Sequence, residues 1–69
     1  MGASKLTLER LRKGYSQILF SNLTGVNRCA LSAIERRRIT ATKKNRQAIV
    51  SVIGGNEADF FDQETGLAI

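Results

Sequence analysis

Arg28 carries a planar fork of N–H donors, flanked by Asn27 and Cys29 and followed one helical turn later by Ser32 and Ala33. Such a fork fits a pair of adjacent acceptors, guanine O6 and N7 being the commonest example, and is worth about 1–3 kcal/mol of discrimination. The Ala33 methyl or Cys29 could pack on a thymine methyl. Each residue has a plainer use as well. Arg28 can sit on a phosphate or in solvent, Asn27 can cap a helix, and Cys29 can be a small neutral filler. Cys29 also stands beside Arg28 at a helix start. Catalytic chemistry finds no footing. The sequence has no histidine, no glycine-rich phosphate loop, and no carboxylate pair beside a nucleophile. A single cysteine excludes an intramolecular disulfide and every metal-binding spacing. No enzyme, no cofactor and no metal is the expectation.

The elements that must position these residues are two short helices. Gln17 to Thr24 has the apolar spacing of the first, with Ser16 as its cap. Gly25 stops it, because glycine takes the left-handed conformation without a Cβ clash. Val26 is an apolar plug and Asn27 caps the second helix, 28–36, on which Leu31 and Ile34 share a buried face. Two helices joined by a glycine turn predict a helix-turn-helix, whose second helix enters the DNA major groove by its start. Asn27, Arg28 and Cys29 are then nearest the base edges, with Ser32 and Ala33 behind them. Arg36, Arg37, Arg38, Lys43 and Lys44 follow along the flanking backbone as phosphate contacts.

The rest reads as three more helices. The first runs about Leu6 to Lys13, with Leu8, Leu11 and Tyr15 at helical spacing, and Gly14 ends it. Ile39 tucks inward from the basic connection 36–41. Thr42 caps a helix to Ile53 whose buried stripe is Ala48, Ile49, Val52 and Ile53, and Gly54-Gly55 stop it. Asn56 to Asp59 starts a last turn that inserts Phe60 or Phe61. No strand is predicted. The fold class is all-α, a compact five-helix bundle. Residues 1–5 read as a disordered N-terminus or tag remnant, 6–62 as the DNA-binding domain, and 63–69 as a patternless tail.

Gly14-Tyr15-Ser16-Gln17, Phe20, Leu23, Gly25-Val26, Arg28, Leu31-Ser32 and Ile34-Glu35-Arg36, with Arg10 upstream, resemble the phage lambda repressor/Cro-like (Xre-type) helix-turn-helix domains over roughly residues 6–61. The resemblance implies a lambda repressor-like fold and a transcriptional regulator that binds an operator, blocking or recruiting polymerase. It implies that Gln17 reaches a phosphate, with Ser16 beside it at the helix start. It also implies a structural ion pair between Arg10 and Glu35, and two-fold dimers on inverted-repeat half-sites about 34 Å apart. The chain departs from the pattern in places. Ser21 replaces a small alanine, Ile18 and Leu19 stand where glutamates are usual, and Arg37 replaces a common glycine. Ile18 and Leu19 either form an exposed contact or are partly buried by a rotated helix. Together with Phe61, Leu67 and Ile69 they are the candidate partner interface, the last helix and tail being the expected dimer surface.

Charge placement agrees with a polyanion partner. All eleven Lys and Arg lie within residues 5–46, a segment of net charge +9, while residues 47–69 carry −4. Single-stranded RNA is disfavoured, since Tyr15 and three phenylalanines supply no stacking platform. With 69 residues only about 60% of the unfolded surface can be buried. No apolar run approaches the roughly eighteen residues of a transmembrane helix, and no signal peptide is visible. A cytoplasmic protein, in a bacterium or a phage-infected host, is expected. The competing reading is a helix-turn-helix protein-interaction module such as an antirepressor or antitoxin.

Overall fold

The computed structural model describes residues 2–69. Five helices follow one another: α1 (Lys5–Arg12), α2 (Gln17–Thr24), α3 (Arg28–Glu35), α4 (Lys43–Ile53) and α5 (Glu57–Phe60). Among the described residues the one β-type pairing is an isolated antiparallel bridge between Phe61 and Ala68.

Local chemistry sets the boundaries. Ser16, Asn27 and Thr42 each accept backbone N–H bonds from the first turn that they cap. Gly25 closes α2 with φ 76°, donating its N–H to Ser21 O at 2.8 Å. Ser21, the polar exception in this turn, donates its hydroxyl to Val26 O, and Thr24 Oγ1 accepts from Val26 N–H at 3.2 Å. The turn between α2 and α3 is therefore held by side chains as well as by glycine.

The core gathers Leu6, Phe20, Val26, Leu31, Ile34, Ala41, Ile49, Ile53, Phe61 and Ala68. Tyr15 packs against it, its ring stacked on Phe20 at 6.0 Å. Burial departs from apolar character along α1, and one expectation, an inward Ile39, is corrected. Leu8 and Leu11 are 56% and 58% exposed, because α1 turns Leu6 and Arg10, four residues apart, toward the interior. Ile39 is also exposed, and Ala41 takes the inward place.

The domain edges differ from the expected ones too. Ser4 is buried and caps α1 through Thr7 N–H, so it belongs to the helical body. Residues 63–69 are laced into that body: Lys5 N–H donates to Ile69 O at 2.6 Å, and Ala41 N–H to Gly66 O at 3.1 Å. Ala68 is buried in the core. No helix among the described residues is long and apolar enough to cross a membrane.

Candidate nucleic-acid interface

α3 divides its length between two faces. Leu31, Ile34 and Glu35 are buried, while Arg28 and Cys29 are exposed and Ser32 and Ala33 half-buried. Positions 28, 29, 32 and 33 fall together on a helix, so the outward face consists of the residues singled out for base contact. Asn27 is exposed and committed by its side chain to capping: Oδ1 accepts from Cys29 N–H at 2.8 Å and from Ala30 N–H at 3.4 Å. Gln17 joins Arg28, Cys29 and Ser32 around one shallow depression where the starts of α2 and α3 meet. Ser16 caps α2 at the same end, accepting from Leu19 N–H at 3.0 Å.

Beneath this surface lies a buried charge pair. Glu35 Oε2 accepts from Arg10 Nε at 2.8 Å, and Oε1 from Arg10 Nη2 at 3.1 Å. The two side chains are only 8% and 2% exposed. Arg10 Nη1 donates to Tyr15 O at 2.7 Å, and Thr7 Oγ1 to Glu35 Oε1 at 2.9 Å. Gln17 Nε2 reaches the same Oε1 at 3.5 Å, linking the first turn of α2 to the last residue of α3. Thr7, and Ser4 whose hydroxyl lies 3.0 Å from Thr7 Oγ1, were not legible in the sequence as members of this network. Their signal is the spacing Ser4, Thr7, Arg10, about one helical turn apart each time.

The cations sort into occupied and free. Glu9 binds Arg12 and Lys13, and the Arg12 hydrogen bond holds the Glu9 carboxyl below its ordinary range. Arg46 pairs with Glu57 at 2.8 Å and donates to Ala41 O. Lys5, Arg28, Arg36, Arg38, Lys43 and Lys44 are exposed and make no ion pair among the described residues. Arg28 opens α3, and Lys43 and Lys44 open α4, with no acidic residue in either first turn. Cations there add to the positive end of the helix dipole, an arrangement that costs stability unless an anion is bound. Arg38, Lys43 and Lys44 lie on the connection and first turn beyond α3 and line no part of the depression at Gln17.

Two sets of expected contacts are corrected. Arg37 directs its guanidinium at backbone carbonyls, Nε to Ala68 O at 3.1 Å and Nη1 to Gly2 O at 3.3 Å, and so is partly committed within the chain rather than wholly free for a phosphate. Phe61 is 1% exposed and fills the core, while Leu67 and Ile69 are half-buried with their backbones paired to Asp62, Phe60 and Lys5. Phe61 is therefore taken up by the core, while the Leu67 and Ile69 side chains keep part of their surface exposed. Ile18 and Leu19 are both exposed, at 58% and 43%, so α2 is not rotated to bury either. Among the described residues no group of His, Cys, Asp and Glu could hold a metal ion.

Comparison with protein families, with characterised proteins and with solved structures finds no match to this chain.

Proposed function

We propose that the chain is a sequence-specific double-stranded DNA-binding regulator of transcription, a helix-turn-helix protein of the lambda repressor/Cro-like kind. The observation that carries this reading is the set of cations, unpaired among the described residues, at the acid-free starts of α3 and α4, beside an outward α3 face of small and polar residues. Each feature suits a helix start facing a polyanion groove: small side chains permit close approach, and Arg28 supplies the fork. In this reading α3 enters the major groove, Gln17 and the N–H groups opening α2 hold one phosphate, and Arg36, Arg38, Lys43 and Lys44 meet the flanking backbone. The protein acts by occupancy. It blocks or recruits polymerase at an operator and performs no chemistry. Two copies would occupy an inverted repeat, with a contact surface other than the buried Phe61.

A second reading is favoured by one observation. Ile18, Leu19 and Leu23 are all exposed on α2, which is unusual apolar display for an eight-residue helix. A protein-interaction module, such as an antirepressor or antitoxin, would use that face.

Binding selection from random duplexes at low and moderate salt, with Arg28→Ala and Gln17→Ala alongside, separates the two. The DNA-binding regulator enriches an inverted repeat. Arg28→Ala then relaxes one base position, and Gln17→Ala weakens all sites evenly. Weak, sequence-blind binding that vanishes with salt would overturn this reading in favour of a protein partner on the Ile18/Leu19 face.

A further inference from the structure

Arg37 is the one non-glycine residue with positive φ among the described residues, at 61°. It occupies the position just past the cap of α3. Its N–H donates to Ile34 O at 3.1 Å, and the following N–H of Arg38 donates to Ala33 O at 2.9 Å. This bond pair is the helix ending in which glycine normally stands, because any Cβ there crowds the backbone. An arginine at such a place carries a steric cost, and the structure holds an interaction that offsets it. The guanidinium spans two carbonyls far apart in sequence, Ala68 O and Gly2 O. Segment 66–69 is anchored further by bonds to Lys5, Ala41, Phe60 and Asp62, with Ala68 buried.

We propose that Arg37 is a clasp. It fastens segment 66–69 and the approach to α1 onto the end of α3, and so fixes the path of the connection that carries Arg36 and Arg38. Its guanidinium is engaged by carbonyls of the same chain, which makes it a positioning residue and not a ligand of the anionic partner. The clasp itself stands independently of the DNA reading; only its effect on binding rests on that reading.

Arg37→Gly keeps the left-handed turn and removes the clasp. Arg37→Lys keeps the charge and removes the fork. Amide hydrogen exchange of the whole protein is the first readout. Both variants are expected to speed exchange at Lys5, Ala41 and Ile69 by about tenfold or more, while Phe20 and Ile53 exchange as in the parent. Parent-like protection at Lys5, Ala41 and Ile69 in Arg37→Gly overturns the clasp. The second readout is the dependence of duplex affinity on salt. Both variants are expected to bind more weakly with an unchanged slope of log K against log salt. A slope shallower by about 0.9 in Arg37→Gly but not in Arg37→Lys would make Arg37 a phosphate ligand and overturn the assignment. A parent protein that binds no duplex refutes the DNA reading, and the exchange data still decide the clasp.

Discussion

Arg10 and Glu35 meet through two parallel N–H···O bonds of 2.8 and 3.1 Å, in a site where both side chains are almost fully buried. They are 25 residues apart and join α1 to the last residue of α3. Polar neighbours are drawn in, since Tyr15 O, Thr7 Oγ1 and Gln17 Nε2 complete the set. Breaking such a pair costs more than its formation contributes, because the survivor stays charged and buried. Arg10→Ala and Glu35→Ala are each expected to destabilise the fold by about 3–5 kcal/mol in denaturant titration. A loss under about 1 kcal/mol would show that the site rehydrates freely.

Lys43 and Lys44 make no ion pair among the described residues and burden the start of α4. Replacing both with alanine should leave stability unchanged or slightly raised, since two cations leave the positive helix end. If they meet phosphates, the slope of log K against log salt becomes shallower by about 1.8. Unchanged affinity and slope would remove α4 from the interface.

The turn at Asp62 predicts a pH dependence. Asp62 Oδ1 accepts the N–H groups of Glu64 at 2.8 Å and Thr65 at 3.0 Å, and these bonds, Thr65 first, hold its carboxyl below the ordinary range. A lowered folded pKa means that the contribution is complete above the unfolded value. It is lost as pH falls through the folded one. Following the Asp62 carboxyl by NMR through an acid titration should give a midpoint below that of an unstructured aspartate, with the 62–66 turn loosening in step. A midpoint at the unstructured value would refute the role of the Thr65 and Glu64 amides.

Gly25 tests the turn between α2 and α3. A Cβ there meets nothing within 4 Å, so Gly25→Ala isolates the backbone effect of φ 76°. The expected cost is about 1–2 kcal/mol by thermal or chemical unfolding, with the fold kept. Destabilisation far beyond that would mean that the turn, and not only its conformation, had collapsed.

The sequence by itself determined the capped starts of α2, α3 and α4, the glycine stops of α2 and α4, and the polar face of α3. Those signals are local: Ser16, Asn27 and Thr42 cap the turn that follows them, Gly25 and Gly54 admit backbone of positive φ, and positions three and four apart share a face. Tertiary structure decided which faces are covered. Leu8 and Leu11 are more apolar than Arg10, yet Arg10 is the buried one, because Glu35 and the Tyr15 carbonyl offset its desolvation. Ala41 rather than Ile39 lies inside although it is the less apolar of the two, because its N–H is tied to Gly66 O and its carbonyl to Arg46. Segment 63–69 had no period to read, since its order rests on backbone bonds to Lys5, Ala41 and Phe60, on the positive φ of Gly66 and on the burial of Ala68, all set in place by the rest of the chain. The use of Arg37 followed the same rule. Its charge suggested a phosphate, and the acceptors that claimed it, at positions 2 and 68, are neighbours only after folding.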